Sequence, residues 1–428
     1  MKPAGHMDPQ PWMVAGSTRA VIAALVRDGQ TVRFVGGSVR DALLGRPVQD
    51  VDIATPDPPE TVMRLITEAG LTAIPTGIQH GTITAVADGV PFEITTLRRD
   101  VETFGRHARV AYTDDWAADA ARRDFTMNAI FCDADGTLYD PCGGIPDLKR
   151  GLVRFVGEPA QRITEDVLRL LRYFRFLAHY GRAAPDAAAI KACRDFAPKL
   201  PGLSGERVRV ELLKLLAAPD PASILDLMHR ETILAHTLPE ATDLATLRSL
   251  VGIEDGCAGL PGLAQGADPL RRLGAVLATD EAGVVRVANR LRLSNAERQR
   301  LAQMLAQGDH PDPDDPPPLR RARLHRMGRE RYCDRLFLAW ARERAGQPVG
   351  PRDVRYRESL EDALRWEPKS LPVSGADVHA LGVERGPEVG RLLAAIEDWW
   401  IASDFTADRA AALAKLREVT ARRGSDGR

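Results

Sequence analysis

The chain has 428 residues, 44% hydrophobic and 27% charged, the balance of a folded globular protein rather than a disordered one. That length accommodates roughly two to four domains. Five cysteines (Cys132, Cys142, Cys193, Cys257 and Cys333) include no CxxC pair, which argues against a disulfide scaffold or zinc ribbon and fits a reducing compartment. No apolar run approaches the roughly 20 residues of a membrane span. The N-terminal MKPAGHMDPQPWMVAGS lacks the apolar core of a signal peptide, so the expected location is cytoplasmic. Charges nearly cancel, 58 Lys+Arg against 59 Asp+Glu, yet seven lysines stand beside 51 arginines. Arginine forks suit phosphates and base edges. A polyanion partner therefore requires the positive charge to be segregated onto one face, and the bland alternative spreads it over solvated faces.

In chain order, residues 17–30 (STRAVIAALVRDGQ) predict a helix with Ser17 as cap and Gly29 at its end. Short β-rich runs follow to about residue 155: TVRFVGG (31–37), GTITAVADG (81–89), VPFEITTLRR (90–99) and AIFCDADGTLYD (129–140), with DADG as a hairpin signal. From about 158 the spacing is helical throughout, with few strand candidates. The segment GDHPDPDDPPPLRR (308–321) cannot continue a helix and predicts a linker or exposed loop.

The chemistry concentrates in VGGSVRDALLGRPVQDVDIAT, 35–55. Gly36-Gly37-Ser38 lies between a strand and a helix expected to begin around Val39. There glycine lets backbone N–H groups approach a phosphate, with Arg40 as its cation. Asp50 and Asp52 flank Val51; on a strand both carboxylates project from one face and resist joint ionisation. A divalent cation such as Mg²⁺ relieves that conflict, whereas the bland reading is an acidic turn. Glu93 alternates with Phe92 and Ile94, which face the other way; ordinarily such a polar residue is just solvated, and it is a third candidate if its strand lies beside those aspartates. Three acids could then serve a two-metal phosphoryl transfer.

These residues resemble the signature of the tRNA nucleotidyltransferase/poly(A) polymerase family, in its bacterial and eukaryotic class. RRDFTMNAI (122–130), DPCGGIPDLKRGLVRFVG (140–157), ITEDVLRLLRYFRF (163–176) and LSGERVRVELLKLL (203–216) agree in order and spacing, so the likeness covers about half the chain. It implies an α+β head of the polymerase-β-like nucleotidyltransferase type, followed by a long all-α neck, body and tail. The expected divisions are 1–157, 158–235, 236–318 and 319–428, the last binding tRNA. It implies Asp50 and Asp52 as metal ligands, Glu93 as the third catalytic carboxylate, and Gly36, Gly37 and Arg40 around the triphosphate. Arg122, Arg123, Asp124 and Asn128 match a motif for ribose and phosphate recognition; the bland alternative there is a local surface ion pair.

Along 163–177, Ile163, Val167, Leu170, Phe174 and Leu177 predict one apolar stripe. Asp166, Arg169 and Tyr173 fall beside it at i, i+3 and i+7. A carboxylate next to a guanidinium matches the amino donor and ring-nitrogen acceptor shared by cytosine and adenine, and mismatches guanine and uracil. The family resemblance assigns that base reading to Asp166 and Arg169; the plain alternative is a helical i,i+3 ion pair. RxDxxxxGRHAxV, from Arg98 to Val110, resembles the loop used in switching from CTP to ATP, which disfavours CC-only addition. PTGIQHGTIT (75–84) lacks the more basic segment of poly(A) polymerases. CCA addition to tRNA from CTP and ATP with Mg²⁺ is thus the leading expectation. A-only addition, poly(A) synthesis and a non-catalytic RNA-binding regulator stand behind it. Arginines in 319–331 are candidates for an RNA grip, or else one face of a solvated helix.

Overall fold

Strict alternation in TITAVA and VPFEITT yields the strands it predicts in the computed structural model, which describes residues 1–27, 31–104, 107–264 and 266–426. Numbered in chain order, the strands are β1 Gly5–His6, β2 Arg33–Val35, β3 Val51–Thr55, β4 Thr72–Gly77, β5 Thr82–Ala87, β6 Val90–Thr96, β7 Arg98–Phe104, β8 His107–Tyr112, β9 Phe131–Cys132 and β10 Thr137–Tyr139. Eight of them form one sheet in the order β1-β10-β9-β2-β3-β6-β5-β4, and β7 pairs with β8 as a separate hairpin. Gly105 and Arg106 of the expected switching loop lie outside the described residues. β3 and β6 run parallel, with Asp52 opposite Glu93 and Ile53 opposite Ile94. Ile53 and Ile94 are fully buried, with Phe92 only 1% exposed. Helices Gly16–Val26 and Pro59–Glu68 pack on this part of the sheet. The alternate residues Asp52 and Glu93 are left on the other face.

Two boundaries differ from expectation. The first of those helices starts at Gly16, with Ala15 rather than Ser17 at its cap. The helix after β2 spans Gly37–Leu43, two residues earlier than expected, because Gly36 makes the turn itself at φ 74°, ψ −126°, a conformation open only to glycine.

Helices and turns make up the described residues after 158, apart from an isolated bridge between Ala241 and Leu277. The chain divides into two compact units, Met1–Pro239 and Glu240–Arg428. In the second, Asp334 is fully buried; it accepts from Arg271 Nε at 2.9 Å and Arg300 Nε at 2.8 Å, joining three helices. The proline-rich segment is the non-helical loop expected, mostly exposed before the next helix, but it tucks three residues inward. Pro311, Pro313 and Asp315 are buried, and the next helix, Pro317–Met327, begins on proline, whose missing N–H costs nothing in a first turn.

One expected helix is interrupted. Pro159–Glu165 ends at Asp166, which is extended at φ −151°, ψ 108°, and a new helix runs Leu168–Tyr180. The stripe from Ile163 to Leu177 is thus split. Tyr173, expected beside it, has no exposed surface and packs on Phe155 with ring centroids 5.4 Å apart.

The turn Thr126–Asn128 is held from below. Asp147, fully buried, accepts from Thr126 Oγ1 at 2.8 Å and Arg154 Nε at 2.7 Å. A Cβ on Gly144 would stand 2.1 Å from the Thr126 carbonyl oxygen, a clash with backbone that side-chain movement does not relieve. Gly144→Ala is therefore expected to cost about 1–3 kcal/mol, read as a lower urea midpoint. Gly202→Ala, with nothing within 4 Å, is the control expected to leave that midpoint in place.

Candidate active site

A cleft of about 800 Å³ opens in the first unit. Ten of the twelve residues singled out from sequence line it: Gly36, Gly37, Arg40, Asp52, Arg122, Arg123, Asp124, Asn128, Asp166 and Arg169. Asp50 and Glu93 do not line it. Asp50 precedes the first residue of β3, while Glu93 is the register partner of Asp52. Burial pushes the Asp52 carboxyl up to about 6; the negative charges of Glu93 and Asp50 add to that, against the pull of Arg123 and Arg40. Among the described residues no three His, Cys, Asp or Glu side chains form a ready metal cage. The donor set nevertheless fits a hard cation: all oxygen, mutually repelling, with few protein ligands as Mg²⁺ prefers. Space is kept beside it, since a Cβ on Gly36 would sit 3.5 Å from Asp52 Oδ2.

The cationic side of the cleft is tied into a chain of bonds. Arg40, 8% exposed, lies 4.3 Å over the Tyr180 ring and donates Nη1 to Asn128 Oδ1 at 2.7 Å. Asn128 Nδ2 donates to Asp124 Oδ1 at 2.9 Å, and Asp124 Oδ2 accepts from Arg172 Nε at 2.8 Å. Arg172 and Arg175 both reach Glu211, at 3.6 and 2.9 Å. Burial alone would raise the Asp124 carboxyl, but Arg172, Asn128 and the Phe125 N–H outweigh it and hold it at about 2. Asp124 is thus first an anchor, accepting four protein hydrogen bonds.

The arginines before Asp124 do not pair with it, which corrects the picture of a local surface pair. Both reach Asp119, a carboxylate 1% exposed: Arg122 Nη2 to Oδ1 at 2.6 Å and Arg123 Nη2 to Oδ2 at 2.9 Å. The Arg98 N–H donates to the same Oδ1 at 3.3 Å, so Asp119 also ties down the start of β7. Burial would raise this carboxyl; the two guanidiniums bring it below the ordinary carboxylate value.

Asp166 and Arg169 share the cleft without touching as an i,i+3 pair. Asp166 Oδ1 accepts from the Leu168 N–H at 3.1 Å and Oδ2 from Arg207 Nη2 at 2.6 Å. That side-chain cap is the physical reason the helix breaks there. Arg169 Nη1 donates to Glu165 Oε2 at 2.5 Å, and Nη2 donates to the Arg122 carbonyl at 3.2 Å. Sequence reasoning missed Asp119, Arg172, Arg175 and Arg207. The first stands three and four residues before Arg122 and Arg123, and the next two repeat at three-residue steps after Arg169. Both were readable signals; Arg207, 41 residues from Asp166, was not.

Comparison with known proteins places the chain by its sequence and fold. The family model described as "Poly A polymerase head domain" matches residues 32–154, and "Probable RNA and SrmB- binding site of polymerase A" matches 185–244. The chain is 36% identical over 403 residues to "CCA tRNA nucleotidyltransferase 1, mitochondrial" of Danio rerio, covering 90% of this chain and 87% of that one. The human protein of the same name is 32% identical, with 94% and 90% covered. The crystal structure of the Bacillus stearothermophilus CCA-adding enzyme in complex with CTP superimposes with a TM-score of 0.76 at 31% identity, covering 96% of this chain and 98% of that one. The fold is that of a polymerase-β-like nucleotidyltransferase head followed by helices. More narrowly, the chain belongs to the tRNA nucleotidyltransferase/poly(A) polymerase family.

Two measurements test the anchors. Asp119→Asn keeps volume but removes the charge shared by two arginines, at a cost of about 1–3 kcal/mol. The expected kinetic result is a higher nucleotide KM with a smaller change in kcat. For Asp124, 11% exposed, the lowered value means stability is fully present above the ordinary 3.8 and is lost as pH falls through about 2. The contribution is about 2 kcal/mol. Denaturation midpoints of the native chain should therefore fall between pH 4 and 2, and Arg172→Gln should flatten that fall.

Proposed function

We propose that this protein completes the 3′ end of tRNA, adding C, C and A from CTP and ATP, releasing pyrophosphate and using no nucleic-acid template. The observation that carries the reading is one cleft in which Asp52, a wall of arginines and the pair Asp166 and Arg169 face the same space. The RNA 3′-hydroxyl attacks the α-phosphorus of the nucleotide in line, and the bond to pyrophosphate breaks. Asp50 and Asp52 are the ligands of a divalent cation, Mg²⁺ in this reading, with Glu93 as the third carboxylate. When bound, that ion supplies activation of the hydroxyl and neutralisation of phosphate charge.

The chain's own groups do the rest. The turn at Gly36 and Gly37 brings backbone close to the triphosphate. Arg40, Arg122 and Arg123 hold its charge, with Arg172 and Arg175 as further cations. Asp124 and Asn128 face the ribose through whatever hydrogen-bonding capacity their protein partners leave. Asp166 accepts from the base amino group and Arg169 donates to the adjacent ring nitrogen, an arrangement that admits C and A and rejects G and U. Arg207 and the Leu168 N–H take one position on each Asp166 oxygen, which fixes the carboxylate while leaving lone pairs for a base.

Within this reading residues 1–157 form the head, 158–235 the neck, 236–318 the body and 319–428 a tail that grips tRNA. A cytoplasmic location belongs to the same reading, and the five free cysteines fit a reducing compartment. Among the described residues no helix is long and apolar enough to cross a membrane. The arginines of 319–331 need correction as a free RNA grip. Arg320 bonds Asp362 at 2.6 Å, Arg321 bonds Asp404 at 2.7 Å and Arg326 bonds Asp398 at 2.9 Å.

The test is purified protein, tRNA ending at its discriminator base, and labelled nucleotides supplied singly and together. Two C residues followed by a single A is the expected product. Long A runs or no incorporation overturn the reading. Asp52→Ala should abolish incorporation while the tRNA dissociation constant stays within about twofold, since no lysine or arginine that meets phosphate is changed.

A further inference from the structure

The second unit carries a smaller pocket that the proposed reaction does not use. Its volume is about 390 Å³, within the range of small-ligand sites. Trp366 and Phe405 form its aromatic wall, with ring centroids 5.4 Å apart. Arg365 and Lys369 stand at the same pocket. Arg365 reaches Glu361 at 2.9 Å, while exposed Lys369 has no ion-pair partner among the described residues. Two acids also line it. Asp404 is matched by a two-pronged bond from Arg321, one prong 2.7 Å long. Glu367 is exposed at the rim of the same pocket.

The backbone at this pocket is in an unusual conformation. Asp404 and Phe405 take φ of 56° and 59° in succession, in the left-handed region that a bulky residue such as phenylalanine rarely enters. The turn is held from several sides. The Asp404 N–H donates to the Ile401 carbonyl at 2.9 Å and the Phe405 N–H to the Trp400 carbonyl at 3.1 Å. The Phe405 ring meets Trp400 and His325 edge-on, at 5.0 and 5.2 Å. Strain that the surroundings enforce at a pocket is a recurrent mark of a binding site. Here it presents Phe405 to Trp366.

We propose that this pocket binds one nucleotide, its base stacked on Trp366 with the Phe405 ring, tilted 58° to that face, against its edge, and its phosphate held by Lys369 and Arg365. An aromatic face takes any base, and a compact ammonium beside it takes the phosphate. Such a nucleotide comes either from an unpaired position of the RNA or from free CTP or ATP. The RNA source rests on the tRNA reading above; the pocket itself does not.

The experiment uses the full chain and three variants, Trp366→Ala, Trp366→Phe and Lys369→Glu. Dissociation constants for tRNA ending at its discriminator base are measured over a range of salt, and labelled CTP is counted by equilibrium dialysis. If the nucleotide is part of the RNA, Trp366→Ala weakens tRNA binding about five- to fiftyfold and Trp366→Phe restores it. Lys369→Glu then lowers the logarithmic salt slope by about one, while incorporation at saturating RNA keeps the wild-type rate. If the nucleotide is free, the wild type binds two CTP per chain and Lys369→Glu binds one, with tRNA affinity unchanged. Wild-type values in both assays for Trp366→Ala and Lys369→Glu overturn the proposal. Lys369 is exposed, so its variant decides the matter even if Trp366→Ala fails to fold. Absence of C and A incorporation by the wild type would instead count against the proposed reaction, leaving the pocket to these binding data.

Discussion

Parallel pairing of two strands distant in sequence puts Asp52, at the cleft, beside Glu93, outside its lining, and the cleft around Asp52 answers that placement. Carboxylates side by side on one sheet face repel, and partial burial makes the repulsion stronger. Burial of Asp52 first, and the charge of exposed Glu93 second, push the Asp52 carboxyl toward its protonated form. The surroundings supply only partial relief, through Arg123 and Arg40. That incomplete neutralisation suits a site whose remaining positive charge arrives with its ligand. The glycine at 36 serves the same end: any side chain there would fill the space beside Asp52 Oδ2.

The arginines facing those acids have fixed positions because nearly every one is held by a buried acceptor. Asp119 holds Arg122 and Arg123, Asp124 holds Arg172, and Glu211 holds Arg175. Guanidinium has five N–H donors, so one fork toward a buried carboxylate leaves the others for a substrate. Preorganisation of this kind lets charge be stabilised without reorganising the site during reaction. The same logic extends to base reading. Asp166 and Arg169 are each pinned by a different partner, so their separation is set by the scaffold and not by attraction to each other.

Legibility from sequence followed the range of the interaction. TITAVA and VPFEITT announced their strands because alternation is a local property. Gly36, Asp52 and the Arg122–Asn128 run stood out because their chemistry sits in short motifs. The register that sets Glu93 against Asp52 joins residues 41 positions apart, and no periodicity encodes it. The break at Asp166 was hidden for a related reason: apolar spacing continues across it, while the competing cap is a side-chain hydrogen bond that pattern counting ignores. The strength of the hydrophobic signal misled at Tyr173, a residue placed beside the stripe that instead lies wholly inside the aromatic core.

The arginine-rich composition shows the limit of reading partners from residue counts. In the helix Pro317–Met327, Arg320, Arg321, Arg323 and Arg326 each meet an aspartate. Several of these partners lie 42 to 83 residues away in sequence. An arginine bonded in this way contributes packing and specificity to the fold, but releases fewer counterions on meeting RNA than an unpaired one. The near-zero net charge thus hides two populations of cations. One is matched to acids within the fold. The other keeps N–H donors for a ligand, around the cleft and at Lys369, and is balanced in the sum by acids elsewhere in the chain. Affinity for a polyanion depends on the second population alone, which is why a chain of formal charge −1 remains suited to bind one.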